Sequence, residues 1–321
     1  MSGDWRPTAA APMLALRASM LARARAFFAE RGVLEVETPI AGAAGASDPQ
    51  VESLTTRIAG FAAPFYLSTS PESAMKRLLA AGSGDIYQIC KVFRDGERGR
   101  WHNPEFTLVE WYRLGFDDAA LMTEVEAFLA RLLAPRRSLA AAERLSYREA
   151  LLRHAGVDAE GASPRELQQA AAAHGVDCDA ALDRDARLDL LMGLVVGPRL
   201  GRGRPSFVCD YPASQASLAR LKPGAPGLAA RFELYLDGIE LANGFHELAS
   251  ADLQRARFAR QLATRRARRQ AAPPMDERLL AALSAGLPDC AGVALGFDRL
   301  AAIAAGADAL EAAMAFTIER A

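Results

Sequence analysis

One segment of the chain combines residue types that could bind a nucleotide and an amino group. It spans residues 92–112 and reads VFRDGERGRWHNPEFTLVEWY. If its second half is a strand, the two-residue period places four side chains on one face: Phe106, Leu108, Glu110 and Tyr112. The aromatic ring could stack a base, the carboxylate and phenol could hold an ammonium group, and Arg94 could grip a phosphate through its planar fork. For any one of these residues alone, an ordinary β-hairpin with a buried Phe106 and a solvated Glu110 explains the pattern equally well.

Taken as a whole, the segment resembles motif 2 of the class II aminoacyl-tRNA synthetases in its lysyl-type form. Four other segments match the family in the expected order: Glu30–Pro39 is similar to motif 1, Ser70–Leu78 to the amino-acid-binding segment, Gly238–Leu248 to the metal-binding segment and Gly292–Leu300 to motif 3. The resemblance spans nearly the whole chain and implies an α+β fold, with an antiparallel sheet flanked by helices. We expect one catalytic domain over residues 1–321, with a helical insertion at approximately 136–200.

This resemblance implies a ligase that activates a lysine-type amino acid with ATP. A carboxylate must attack the α-phosphorus, so arginines and Mg²⁺ are needed to bring anionic groups together. The family roles fall on Arg94 and Arg299 as catalytic, phosphate-binding residues, and on Glu240 and Glu247 as oxygen ligands of Mg²⁺. The other ATP-binding residues that the resemblance implies are Asp95, Gly96, Glu97, His102, Asn103, Phe106, Leu241 and Gly296, with Glu240 also near the nucleotide. The implied amino-acid-binding residues are Ser70, Pro71, Glu72, Glu110, Tyr112, Glu247 and Ala294.

Two positions depart from the lysyl-type pattern. Motif 2 usually has an acid two residues after its arginine, where this chain has Gly96, so the adenine contact would come from Glu97 or from a backbone carbonyl. Motif 3 commonly has glycine where this chain has Ala294. The extra methyl group could turn the pocket from α-lysine towards β-lysine, or it could be a neutral exchange of small residues.

The spacing of the two proposed metal ligands requires a break in the strand that holds them. Glu240 and Glu247 are an odd number of residues apart, so a regular strand would direct their side chains to opposite faces. Both can address one site only if the backbone changes register between them. We expect this irregularity at Asn243-Gly244, because both residue types tolerate positive φ. Both carboxylates would then converge on the site that Arg94 and Arg299 face.

The acceptor of the activated amino acid is inferred from what precedes the core. The first predicted helix begins near Leu14, and about a dozen residues are too few for an anticodon-reading β-barrel. We therefore expect no tRNA binding and a resemblance to free-standing lysyl-type ligases, whose acceptor is a lysine side chain of elongation factor P. Two alternatives stay open: a truncated ligase that charges tRNA or another amine, such as an aspartate–ammonia-ligase-like enzyme, and a non-catalytic synthetase paralogue.

The elements that must position these residues can be predicted from periodicity and from capping and turn signals. Predicted helices cover residues 14–31, 117–133 and 255–269, another begins at residues 70–72, and residues 292–305 form a turn that leads into a helix. Predicted strands cover residues 33–37, 86–93, 103–112, 206–211 and 232–236, with a turn at residues 243–244. A capping box at Ser163–Glu166 begins a helix inside the insertion. Strands joined by hairpins, with helices grouped elsewhere, favour an α+β fold.

Composition limits the remaining possibilities. The 321 residues are 51% hydrophobic and 24% charged with a formal net charge of −1, which offers no bulk electrostatic attraction to nucleic acid. Four cysteines without a CxxC pair fit reduced thiols in a cytoplasmic protein, and the longest uncharged run is too short for a membrane span. Motif 1 implies a homodimer in this family. The Arg265–Arg269 run is expected to be a solvated helix face, with a partner-docking patch as the alternative.

Overall fold

The computed structural model describes residues 5–134 and 136–321. Its strands are β1 (Leu34–Glu35), β2 (Ala41–Gly42), β3 (Thr55–Thr56), β4 (Phe65–Leu67), β5 (Ile86–Phe93), β6 (Glu105–Leu114), β7 (Glu143–Ser146), β8 (Ser206–Pro212), β9 (Leu221–Lys222), β10 (Ala225–Leu236), β11 (Ile239–His246) and β12 (Cys290–Gly296). Its α-helices are α1 (Ala11–Ala29), α2 (Glu72–Ala80), α3 (Asp118–Leu133), α4 (Tyr147–Ala155), α5 (Pro164–Ala173), α6 (Arg184–Leu191), α7 (Ala251–Ala267), α8 (Glu277–Gly286) and α9 (Phe297–Ala305). Sheets with separately grouped helices confirm the α+β prediction.

Two compact units divide the chain. The first unit contains the described residues up to Gly115, those within 131–136 and those from Leu248 onward, and the second contains residues 116–130 and 137–247. Among the described residues, no helix is both long enough and apolar enough to cross a bilayer.

The sheet of the first unit has the strand order β1-β5-β6-β12. Strand β1 runs parallel to β5, whereas the β5–β6 and β6–β12 pairs are antiparallel. The predicted strand at residues 86–93 is confirmed, but β6 begins two residues later than predicted. The reason is that Pro104 has no N–H for the ladder, and the Asn103 side chain donates to the carbonyl of Glu105 at 2.6 Å instead.

Aromatic packing joins α1 to the back of this sheet. The Phe28 ring stacks on Tyr87 with centroids 4.2 Å apart and meets Trp111 edge-on at 5.3 Å. Trp111 and Phe28 are fully buried, and they lie on the face of the hairpin opposite Glu110. Since alternate residues of β6 face opposite sides, burying Trp111 directs Glu110 and Tyr112 to the other face.

The second unit has a sheet with the order β11-β10-β8-β7, and β9 pairs with β10. Strand β7 runs parallel to β8, so the predicted helical insertion also contributes a strand. The Ser163–Glu166 capping box is confirmed at the start of α5, and Ser146 with Glu149 forms another at the start of α4. Helices α4 to α6 bury their apolar sides in a cluster that includes Leu151, Leu167 and Leu188.

The tight turn of the second unit lies elsewhere than predicted. Strands β10 and β11 are joined at Asp237-Gly238, with φ of 55° and 80°. These left-handed values suit a two-residue hairpin turn, for which Asp-Gly is a strong signal. Asn243 and Gly244 instead lie inside β11, opposite Glu233 and Phe232. The prediction of a turn at Asn243-Gly244 is therefore wrong.

Candidate active site

A buried carboxylate lies at the centre of the first unit's sheet. Glu110 of β6 is 2% exposed, and its two oxygens accept hydrogen bonds from Ser70 Oγ at 2.7 Å and Tyr112 Oη at 2.8 Å. Burial, followed by the nearby charge of Glu72, raises the pKa of Glu110 to about 7. A desolvated carboxylate that titrates near neutral pH gains strongly from an ammonium partner. We name the site around Glu110, Ser70, Tyr112 and Glu72 the amino-group pocket.

Helix α2 brings a second carboxylate and a lysine to this pocket. Ser70 Oγ also accepts the backbone N–H of Glu72, the first residue of α2, at 3.1 Å, although the N-cap residue is Pro71 and not Ser70 as the sequence predicts. Lys76 is 2% exposed and its Nζ lies 2.6 Å from Glu72 Oε1. The sequence analysis assigns no role to Lys76 itself, although its i,i+4 spacing from Glu72 is a signal for such a pair.

Strand β12 lies beside β6 and contributes Ala294 to the side of the amino-group pocket next to Glu110. Ala294 lies directly opposite Glu110 in the β6–β12 ladder, and Gly296 lies opposite Leu108. Residues opposite each other on paired strands project to the same face. The methyl group of Ala294 therefore projects to the face on which Glu110 lies, as the pocket-wall prediction requires.

Arg94 follows β5 and lies above an aromatic ring. Its guanidinium carbon is 5.0 Å from the ring centroid of Phe106, and its Nη1 is 3.4 Å from Glu97 Oε1. Gly96 has φ of 75°, a left-handed conformation that disfavours a side chain. This turn brings the acid one residue later, Glu97, next to Arg94, and the adenine contact of Glu97 stays a prediction. Asp95 accepts the N–H of Gly96 on its own carboxylate at 2.9 Å and so stabilises the turn.

Arg299, in the first turn of α9, pairs with the other end of the motif 2 loop. Its Nη2 lies 2.8 Å from His102 Nε2, and its Nε donates to the carbonyl of Trp101 at 3.1 Å. Burial and the positive charge of Arg299 lower the pKa of His102, which favours the neutral ring, and the tautomer with its proton on Nδ1 can accept a hydrogen bond from Arg299 at Nε2. The start of α9 is fixed by Asp298, which accepts the backbone N–H of Thr107 at 2.7 Å.

Asn103 is placed differently from its predicted neighbours. Its amide donates to the carbonyl of Glu105 and accepts the backbone N–H of Ile318 at 3.0 Å. Both contacts join backbone segments, so the Asn103 side chain fastens the carboxyl-terminal segment to β6. Its nucleotide-lining role stays a prediction.

The predicted metal ligands lie in the second unit, and the expected change of register occurs at another residue. Tyr235 pairs with Glu240 while the preceding Leu234 pairs with Ala242, so Leu241 is an extra, bulged residue. The irregularity was required but its predicted position, Asn243-Gly244, is wrong. Counted through the bulge, Glu240 and Asn243 share one face of β11. Glu247 is the first residue after β11, and the same alternation, continued by one residue, would put it on this face. Glu247 is 1% exposed, and its backbone is held by Ala219 and by Arg220, whose Nε donates to its carbonyl at 2.9 Å.

The face that holds Glu240 also contains a buried charged network. Arg231 Nη2 contacts Glu233 at 2.6 Å, Arg231 Nε contacts Asn243 Oδ1 at 3.3 Å, and Tyr235 Oη donates to Glu233 at 2.6 Å. Although burial lowers it, the carboxylates of Glu233 and Glu240 keep the pKa of Arg231 above its ordinary value. Within the described ranges, no group of three or more His, Cys, Asp or Glu side chains is close enough to hold a metal ion.

A family model and several known proteins match this chain over nearly its full length. The model of the class II tRNA synthetases (D, K and N) matches residues 3–320. The elongation factor P–(R)-β-lysine ligase of Vibrio cholerae serotype O1 is 48% identical over 326 aligned positions, which cover 100% of this chain and 99% of that protein. The proteins of the same name from Salmonella typhi and Salmonella dublin are each 47% identical over 326 positions, with the same coverage.

Proposed function

The chain belongs to the class II tRNA synthetases of the D, K and N group, and on this premise we propose that it is an ATP-dependent ligase for a lysine-type amino acid. It would activate the amino acid as an aminoacyl adenylate and transfer it to a lysine side chain of elongation factor P. The names of relatives that match over the full length support this acceptor and favour (R)-β-lysine as the amino acid.

The observation that carries the proposal is the environment of Glu110. A carboxylate that is 2% exposed and held by two neutral donors keeps free lone pairs for a cation. The Glu72–Lys76 pair is internally neutral, so the ionised pocket keeps one net negative charge for a substrate ammonium. An aspartate pocket would instead need an uncompensated cation, which supports a diamino acid as the substrate.

The nucleotide half of the site would act by positioning and electrostatics. Stacking of adenine on Phe106 would leave Arg94 near the α-phosphate, and Arg299 would bind the distal phosphates. The substrate carboxylate attacks the α-phosphorus, a new O–P bond forms, and the bond to pyrophosphate breaks. The acceptor amine then attacks the adenylate carbonyl, an amide C–N bond forms, a proton leaves the amine and AMP departs.

Glu240 and Glu247 are the residues that we propose for Mg²⁺. Their hard oxygens suit this ion, and the bulge at Leu241 supports the proposal, because the alternation along β11, continued by one residue to Glu247, would put both carboxylates on one face. When bound, Mg²⁺ would offset the charge of the phosphates. We further propose a homodimer that acts in the cytoplasm, where a translation factor would meet it, and we propose no role in tRNA charging.

Amino-acid-dependent exchange between ATP and pyrophosphate tests the activation step. We expect exchange with (R)-β-lysine or α-lysine and none with aspartate. Arg94→Ala should lower kcat/KM by roughly 100-fold or more, because one charge-stabilising group is lost. Arg98→Ala is the matched control, since Arg98 lies in the same loop but is 64% exposed and pairs with Glu319. A folded protein that shows no exchange with any diamino acid would exclude the proposed activity and favour a non-catalytic paralogue.

A further inference from the structure

One buried arginine of the first unit has no place in the proposed chemistry. Arg265 lies in the last turn of α7 and is 1% exposed, although it begins a run that the sequence predicted to be solvated. The prediction is wrong for Arg265, whereas Arg266, Arg268 and Arg269 are exposed. Burying a guanidinium is costly unless its donors are satisfied, so its contacts indicate what it is for.

The guanidinium of Arg265 holds one loop at three points. Its Nη1 donates to the carbonyls of Asp48 at 2.8 Å and Val51 at 3.0 Å, and its Nη2 contacts Glu52 Oε2 at 2.5 Å. Its Nε donates to the carbonyl of Ala271 at 2.5 Å, which anchors it to the segment after α7. The planar, five-donor fork of arginine can satisfy these acceptors together, whereas the ammonium of lysine cannot.

Two neighbouring side chains reinforce the same connection. Gln270 Nε2 donates to the carbonyl of Pro49 at 2.9 Å, and Ser47 Oγ donates to Gln261 at 2.6 Å. The segment Ser47–Glu52, here called the clamp loop, is therefore fastened along its length to α7 and to Gln270, three residues after the end of α7.

The clamp loop in turn holds the start of the motif 2 loop. The backbone N–H of Asp95 donates to the carbonyl of Glu52 at 2.9 Å, and these two residues form an isolated antiparallel bridge. Asp95 is bonded directly to Arg94 and lies two residues before Glu97. Glu52 thus uses its carboxylate to bind Arg265 and its carbonyl to hold the segment that contains Arg94.

We propose that Arg265 is a positioning residue for the nucleotide half of the active site, acting through the clamp loop on Arg94 and Glu97. This inference rests on the proposed function. The amino-group pocket is built by different contacts, from Ser70, Glu72 and Tyr112. Loss of the Arg265 guanidinium should therefore raise the KM for ATP more than the KM for the amino acid.

The test is amino-acid-dependent exchange by the full-length Arg265→Lys protein, with the KM for ATP and the KM for the amino acid measured separately. Lysine keeps the charge but loses the fork, so we expect the KM for ATP to rise about tenfold, since a small misplacement of a binding group is costly. The KM for the amino acid should stay within about twofold. Arg266→Lys, at the exposed neighbouring position, is the control and should change neither constant.

A second variant keeps the test decisive if Arg265→Lys does not fold. Glu52→Gln removes one charge of the clamp but keeps the backbone bridge to Asp95, and it should raise the KM for ATP by a smaller factor in the same direction. An unchanged KM for ATP in either folded variant, or an equal rise in both constants, would overturn the positioning role. Absence of exchange in the wild-type protein would instead refute the proposed function.

Discussion

Glu110 determines how the proposed site should respond to pH. Several groups act on its carboxyl: Glu72, Lys76, Ser70 and Tyr112 affect its pKa, and Cys90 on β5 lies close enough for Glu110 to help raise the pKa of that thiol. With a pKa of about 7, Glu110 is largely protonated in mildly acidic solution. A protonated carboxyl binds an ammonium poorly, so the ionised form is the competent one.

The KM for the amino acid should therefore fall as pH rises from about 6 to about 8. In Glu110→Gln this pH dependence should disappear, and the KM at pH 8 should be roughly 100-fold higher because a buried charge partner is lost. Steady-state exchange across this range measures both effects, with the KM for ATP as the internal control. A pH-independent KM in the wild-type protein would contradict the assignment of Glu110.

Protonation of Glu110 also affects stability in a defined direction. Its ordinary pKa is 4.5 and its folded pKa is about 7, so the folded state binds more protons between these values. The contribution of Glu110 to the free energy of unfolding should therefore fall by up to about 3 kcal/mol as pH rises through this window. Urea denaturation at pH 5 and pH 8 should show that Glu110→Gln loses less stability than the wild type over the same interval. An identical loss in both proteins would contradict the raised pKa.

The residue pattern of the pocket could be predicted because it follows from local periodicity. Alternation along β6 was sufficient to assign Glu110 and Tyr112 to one face, and their hydrogen bond agrees with it. The i,i+4 spacing on α2 could have indicated the Glu72–Lys76 pair, whereas the burial of Arg265 could not be predicted from local pattern, because its partners Asp48, Val51 and Glu52 lie more than 200 residues away in the sequence. Asn103 belongs to motif 2, but its side chain makes hydrogen bonds to the backbone of Glu105 and Ile318. No local sequence pattern predicts these two contacts.

At the scale of elements, the β10–β11 hairpin shows what decides between two equivalent turn signals. Asp237-Gly238 and Asn243-Gly244 both favour a tight turn. Gly244 is needed inside the strand for another reason: a Cβ atom there would lie 2.3 Å from the Phe232 ring. This cross-strand contact depends on the register of the hairpin, and that register is itself shifted by the bulge at Leu241.

Gly244→Ala should consequently destabilise the protein by about 1–3 kcal/mol, because the buried Phe232 ring must move. The cost arises from packing and not from loss of a turn. Gly227→Ala, also in β10–β11 but with no atom within 4 Å of the added methyl, is the control and should be close to neutral. Phe232→Leu should recover part of the loss in the double variant. Equal unfolding midpoints in urea for both alanine variants would refute this account of Gly244.

At the scale of the whole molecule, the order of the motifs was sufficient to predict the family and the α+β fold, but not the division into two units. That division depends on contacts between distant segments, since the described residues within 131–136 and those from Leu248 onward join the first unit. Neither composition nor periodicity predicts which distant segments pack into one unit. The treatment of residues 1–321 as one catalytic domain remains a prediction.

The proposed homodimer can be tested at β1. Leu34 is 55% exposed on the outer strand of the first unit's sheet, and Ile40 nearby is 45% exposed. Apolar side chains at an outer strand favour association. Light scattering at micromolar concentration should show a dimer for the wild type and a shift to monomer for Leu34→Asp. Leu152→Asp, which changes a 45% exposed leucine of α4, should stay dimeric, and a monomeric wild type would contradict the proposal.

The central claim is the transfer of an activated lysine-type amino acid to elongation factor P. Its most direct test is the intact mass of elongation factor P after incubation with the enzyme, ATP, Mg²⁺ and either (R)-β-lysine or α-lysine. The account predicts a mass increase of one lysyl residue, larger in yield with (R)-β-lysine, absent without ATP and absent with Arg94→Ala. An unchanged mass with both amino acids, from an enzyme that is active in pyrophosphate exchange, would contradict elongation factor P as the acceptor.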